Sequence, residues 1–251
     1  MLSIDIDGPV ALVTLNRPEK RNAMSDALLD AIDGFFRAPP EGVRVAVLTG
    51  AGGHFCAGLD LAEHVARDAE GTMRHSRGWH MVMDRIQFGG LPVVSALAGA
   101  VIGGGLELAA ATHVRVADPS TVFQLPEGRR GIFVGGGASV RIGRILGADR
   151  MIEMMLTGRK YGAEEGERLG LAHYAVGAGE ALPRALELAR GIAQNAPLSN
   201  YVMIQALSRI EDMSKADGLF TESLCAALTQ TSPDAREGLA AFLEKRPPSF
   251  R

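Results

Sequence analysis

Between Ala98 and Ala111 the chain reads AGAVIGGGLELAAA, three consecutive glycines followed by a single acid in an apolar run. Glycines at a strand-to-helix junction let backbone approach a ligand closely, and unpaired N–H groups at a helix start hold developing negative charge. Glu107 lies three residues beyond Gly104, so its carboxylate shares a helix face with the Gly104 N–H. Its neighbours Leu106, Leu108 and Ala109 to Ala111 are apolar, and buried acids are rare unless paired or used. Taken alone, the glycines also fit a tight strand-to-helix connection; they lack the spacing of a dinucleotide fingerprint.

A second feature, HFCAGLDL from His54 to Leu61, follows an apolar strand pattern. A glycine there presents another backbone N–H, and two converging N–H groups form an oxyanion hole. Cys56 has no His or Asn partner at a motif spacing, so it reads as a small packed residue rather than a nucleophile.

The elements that must position these groups follow from periodicity. Val10, Leu12, Val13 and Leu15 predict a first strand after the Gly8-Pro9 turn, and Val43 to Thr49 a second. Between them Leu28, Leu29, Ile32, Phe35 and Phe36 mark a helix face, with Ser25 as N-cap and Pro39-Pro40 as the stop. Glu63 to about Gln87 reads as a polar helical excursion carrying His64, His75 and His80. Pro92 to Leu97 is a short buried strand, and two more follow at Val114 to Ala117 and Thr121 to Phe123. Helices are predicted over Ala138 to Leu146 and Asp149 to Leu156. From about Ala181 onward only helical periodicity remains, with Ser232-Pro233 as an N-cap and N1 pair.

The chain has 251 residues, 47% of them hydrophobic, and a formal charge of −3. That charge offers no electrostatic footprint for nucleic acid or an anionic membrane, so neither is expected as a partner. Ile86 to Leu106 is uncharged and long enough to span a membrane, but it holds six glycines and Pro92. Two cysteines are too few to staple the chain, which fits a reducing compartment. The N-terminus carries aspartates where a signal peptide would be basic and then apolar, and a cytoplasmic location is expected.

NRPEKRNAM (Asn16 to Met24), FCAGLDL (Phe55 to Leu61), GAVIGGGLELA (Gly99 to Ala109) and FQLPEGRRGI (Phe123 to Ile132) occur in one order. LTGRKYGAEEGERLGL (Leu156 to Leu171) and REGLAAFLEKRPPSF (Arg236 to Phe250) complete it. Over nearly its whole length the chain resembles the enoyl-CoA hydratases of the crotonase superfamily. The resemblance implies an α/β spiral of repeated ββα units with a C-terminal helical region that packs into trimers or dimers of trimers. It divides the chain into a core over 1–195 and a helical tail over 196–251. The implied oxyanion-hole donors are the backbone N–H groups of Leu59 and Gly104, and the implied catalytic carboxylates are Glu107 and Glu127. The implied substrate is an acyl-CoA thioester, lying against Lys20, Arg21, Ala23, Ala57, Gly58 and Asp60, with Lys245 as a phosphate contact. Lys245 also fits a solvated charge, and Glu127 by itself fits a turn acid after Pro126. No separate cofactor and no metal are implied, coenzyme A being part of the substrate.

The implied reaction is addition of water to a 2-enoyl-CoA. Isomerisation, hydration-linked cleavage and a non-catalytic acyl-CoA-binding role are the alternatives. Three departures from the family pattern bear on this. Arg129 and Arg130 follow Glu127 where apolar residues are usual, and an arginine turned inward would lower the Glu127 pKa. FVGGGAS (Phe133 to Ser139) lacks the usual proline, which predicts a looser acyl end of the pocket. His113 replaces a common acid and is expected to be structural. The apolar positions Leu219, Leu224, Leu228, Leu239 and Phe242 of the tail fit either assembly or closure of the chain's own core.

Overall fold

The computed structural model describes residues 1–62 and 67–250. His64 and the start of the predicted polar excursion lie outside the described residues. The chain opens with a hairpin of β1 (Leu2–Asp7) and β2 (Val10–Leu15), paired antiparallel from Leu2↔Leu15 to Asp7↔Val10 across Gly8-Pro9. Periodicity marks only the second of these strands. β1 is an edge strand whose Ile4 and Ile6 stay exposed, so its alternation of aspartate and isoleucine does not mark a core face.

Helix α1 (Asp26–Arg37) starts where expected, with the Ser25 hydroxyl accepting the Leu28 N–H at 3.2 Å, and it buries Leu28, Leu29, Ile32, Phe35 and Phe36. The chain then winds through β3 (Val45–Gly50), α2 (Ala69–Phe88), β4 (Val93–Leu97), β5 (Ala100–Ile102) and α3 (Gly104–Ala110). Another turn follows with β6 (Val114–Ala117), β7 (Val122–Gln124), a 3-10 turn at Glu127–Arg130, α4 (Ala138–Leu146) and α5 (Ala148–Thr157). The remainder comprises α6 (Ala163–Arg168), β8 (Tyr174–Ala175) and α7 (Ala181–Ile192), then α8 (Pro197–Ile210), α9 (Lys215–Gln230) and α10 (Pro233–Glu244).

The large sheet has the order β1-β2-β3-β4-β6-β8, parallel apart from β1, and β5 pairs with β7 in a second, smaller sheet. Each turn of the spiral lays one strand in the large sheet and a shorter one in the second layer. After β3 that second-layer strand is a single bridge, Cys56 to Val101. Short strands of this kind, β5 and β8 among them, carry too few residues for a period to show in the sequence.

Both faces of the large sheet are covered. Leu15, Leu48, Leu97, Leu106, Phe123 and Ile142 belong to the main core. On the other face, Ala181, Ala185, Ala189 and Ala193 pack a small-residue stripe against Val45, Val47, Val94 and Val116. Strands covered on both sides read as continuous apolar runs, as VAVLTG and VVSAL do. The tail's apolar positions face outward: Leu219, Leu224, Leu228, Leu239 and Phe242 are 55–79% exposed. They do not close the chain's own core. No helix among the described residues is long and apolar enough to cross a membrane.

Candidate active site

Asn22 organises the first half of the site. It is fully buried with φ 56, its Oδ1 accepts the Arg17 N–H at 2.8 Å, and its amide donates to the carbonyls of Ala51 (2.9 Å) and His54 (2.6 Å). Asparagine is among the few residues that tolerate this left-handed backbone, and here its whole polar capacity is used to dock the loop. Arg21 to Met24 consequently runs alongside Ala57 to Asp60. Ala57 N–H donates to Arg21 (3.0 Å), Met24 N–H to Gly58 (2.8 Å) and Asp60 N–H to Met24 (2.9 Å). The residues expected to meet coenzyme A on these two segments are therefore neighbours in one strip.

At its end, Asp60 receives Arg17 at 3.0 Å and Lys20 at 3.4 Å. Burial pushes the Asp60 carboxyl up, but bonds from Arg17, the Ala62 N–H and Lys20 outweigh it and hold the group below its ordinary value. Lys245 stands exposed at the end of α10, and no bond joins it to the strip.

Met24 bonds both neighbours of Leu59, and in such a parallel bridge the intervening N–H turns to the opposite edge. The start of α3 lies near Gly58 of the same strip. A methyl group placed on Gly58 would lie 3.3 Å from Gly104 N. Gly104 is the first residue of α3, so its N–H has no intrahelical acceptor. Gly103 turns the chain into the helix with φ 54. Cys56, fully buried in the same strip, has its thiol pushed up to about 12 by burial, consistent with packing and not with nucleophilic chemistry.

Two buried acids lie near the start of α3. Glu107, buried, has Oε1 held by the N–H groups of Gly136 (2.8 Å) and Ala138 (3.0 Å). Burial raises its pKa, against the pull of those N–H groups and the Arg141 charge. Glu127 starts the 3-10 turn after Pro126, and a methyl group on Gly103 would lie 2.7 Å from its Oε1. Burial pushes the Glu127 carboxyl up to about 7, and the nearby Glu107 charge adds to the rise. Its Oε2 and Trp79 Nε1 are the buried side-chain polar atoms that lack a hydrogen-bond partner among the described residues. The wide cavity of about 750 Å³ lies between α2, α4 and α8 and is not lined by either glutamate.

A carboxyl with a raised folded pKa penalises the fold once it must ionise. From the ordinary value of 4.5 up to about 7, unfolding of the wild type releases the Glu127 proton, and stability falls with rising pH. Glu127→Gln does not titrate. We expect it to be more stable than wild type at pH 8 by on the order of 2 kcal/mol, a gain that disappears near pH 4. Thermal melts across that range check this, and a pH-independent difference would contradict it.

Arg129 turns outward and donates to the Thr157 carbonyl at 2.6 Å, and Arg130 lowers the Glu127 pKa less than burial and Glu107 raise it. The segment without proline is tied to two other elements. Ser76 Oγ donates to the Gly135 carbonyl at 2.6 Å, and the next N–H groups hold Glu107. His113 is structural, its Nδ1 accepting the Val93 N–H at 2.9 Å and its Nε2 lying 3.0 Å from the Gln87 carbonyl. Sequence reasoning missed Asn22, Trp79 and the role of Gly136, because each acts through contacts between distant segments.

Residues 5–251 match the family model for enoyl-CoA hydratase/isomerase. The chain belongs to that family. Enoyl-CoA hydratase EchA19 of Mycobacterium tuberculosis is 32% identical over 97% of this chain and 94% of its own length. The 2,3-dehydroadipyl-CoA hydratase of Escherichia coli is 34% identical over 96% and 95%. The crystal structure of an enoyl-CoA hydratase from Bacillus anthracis superposes with a TM-score of 0.93 at 32% identity, covering 99% of this chain and 98% of that one. A solved structure from Rhodopseudomonas palustris reaches 0.95 at 49% identity, covering 97% and 95%. The ββα spiral is thus that of the crotonase superfamily, and the chain is an enoyl-CoA hydratase-like lyase.

Proposed function

We propose that this family member adds water across the 2,3 double bond of a 2-enoyl-CoA. The observation that carries the reading is the pair of buried carboxyls with raised pKa values, one anchored by two backbone N–H groups and the other with an unpartnered oxygen. Water addition needs one group to take a proton from water as it attacks the β-carbon and another to give a proton to the α-carbon. Neighbouring carboxyls whose environments differ supply one ionised and one protonated partner. Glu107 takes the first role and Glu127 the second.

The thioester oxygen gains charge as the enolate forms, and the N–H groups of Leu59 and Gly104 stabilise it. Removing one such donor typically costs about 3 kcal/mol of barrier. The coenzyme A moiety lies along the strip at Lys20, Arg21, Ala23, Ala57, Gly58 and Asp60, and no further cofactor enters the chemistry. Because Asp60 already neutralises part of the Lys20 charge, backbone groups carry much of this binding. Mass spectrometry of products from saturated, 2-enoyl, 3-enoyl and aromatic acyl-CoAs tests the reading: a water adduct of the 2-enoyl compound supports it. An isomer from the 3-enoyl compound without hydration, or no product, would overturn it.

The helical tail serves assembly in this proposal, with Lys245 reaching a phosphate of the neighbouring subunit's coenzyme A. Support comes from the apolar row on α9 and α10, including Leu224, Leu228, Leu239 and Phe242, each more than half exposed. Sedimentation at micromolar concentration is expected to show trimers or dimers of trimers. A monomer would sink the assembly role.

A further inference from the structure

Resting on the hydration reading, we propose that Trp79 is the specificity-determining wall of the acyl site and restricts the enzyme to short acyl groups. Trp79 lies on α2, is 5% exposed and belongs to the main core. Its six-membered ring touches two glycines that come from different turns of the spiral. A methyl group on Gly104 would lie 2.8 Å from Cζ3 and 3.0 Å from Cη2, and one on Gly136 would lie 2.9 Å from Cε3. The same point at Gly136 is 2.7 Å from Glu107 Oε2, and the one at Gly104 is 3.2 Å from Met24 Cε. The indole therefore fills the angle between the Gly104 backbone and the Glu107 carboxylate, and only glycine at both positions lets it in.

An enoyl group whose thioester oxygen meets the Gly104 N–H and whose β-carbon faces the glutamates must extend past this ring. The wide cavity between α2, α4 and α8 is lined by Gly137 and Arg141 but not by Trp79. The edge of the indole opposite the glycines carries Nε1, which finds no acceptor among the described residues.

Trp79 is the only tryptophan of the chain, which makes the wall directly observable. Butyryl-CoA, which cannot be hydrated, should change its emission, whereas free coenzyme A should not. Equal responses to both, or no response to either, would overturn the placement. In turnover, Trp79→Ala should raise the ratio of kcat/KM for 2-decenoyl-CoA over crotonyl-CoA by about tenfold or more, while Trp79→Phe, which keeps a ring, should shift it less. A ratio in Trp79→Ala within about twofold of wild type would overturn the proposal. Should that variant not fold, Trp79→Leu and the emission of the wild-type protein carry the test. If the wild type hydrates no 2-enoyl-CoA, the hydration reading fails, and the emission response still decides the place of Trp79.

Discussion

Glu127→Gln is expected to hydrate crotonyl-CoA about 10²- to 10⁴-fold more slowly in kcat than wild type, and Glu107→Gln to fall by a similar factor. Glutamine keeps the size and much of the hydrogen bonding of each side chain but cannot take or give the proton. In Glu107→Gln the amide oxygen still accepts the Gly136 and Ala138 N–H groups, so the loop stays in place and the loss reports on proton transfer. KM is expected to change little in either variant, because the proposed binding mode holds the thioester and coenzyme A mainly by backbone N–H groups and the strip beside Met24. The wild-type rate is also expected to decline on the alkaline side with an apparent pKa near 7, as Glu127 loses the proton that the proposed mechanism has it deliver. The two carboxyls interact, so that limb belongs to the pair rather than to one residue. Near-wild-type hydration in both variants would refute the glutamate mechanism.

The parts of this site that were legible in the sequence are those encoded within a few residues. Glu107 stood out because one acid interrupts LELAAA directly after three glycines, and Ser25 and Ser232 marked helix starts that the structure reproduces. Glu127 was different. Its local surroundings fit a turn acid equally well, and only the order of motifs singled it out. What raises its pKa is burial and the approach of Glu107, both products of the spiral bringing residues twenty positions apart onto one site.

Residues that work across segments were not legible at all. Trp79 sits in a helix whose mean character is polar, and nothing at its sequence position announces contact with Gly104 and Gly136. FVGGGAS suggests slack by composition, yet its carbonyls and N–H groups are tied to Ser76 and Glu107 from two other elements. In the tail, helical periodicity was plain, but only solvent exposure separates an assembly face from a core face.

Gly136→Ala, a change of one methyl group outside both acids, is expected to lower kcat about 10²-fold. Its new carbon would stand 2.7 Å from Glu107 Oε2, 3.0 Å from Glu107 Cδ and 2.9 Å from Trp79 Cε3. None of these neighbours can yield freely. Glu107 Oε1 is pinned by two N–H groups, one of them belonging to residue 136 itself, and Trp79 is buried against the core. The cheapest relief moves the Glu107 carboxylate, which the proposed mechanism sets facing the β-carbon, and displacement of a reacting group by about 1 Å costs roughly this factor. The Leu59 and Gly104 N–H groups and the strip from Ala57 to Asp60 lie on other segments, so KM should stay near wild type while kcat falls. Gly137→Ala is a useful contrast, because its φ of 106 strains any side chain and that strain acts on stability as well as rate. A Gly136→Ala protein that melts like wild type, binds substrate like wild type and loses turnover would locate the defect at Glu107; one that retains full turnover would mean that this carboxylate is not the group on which hydration depends.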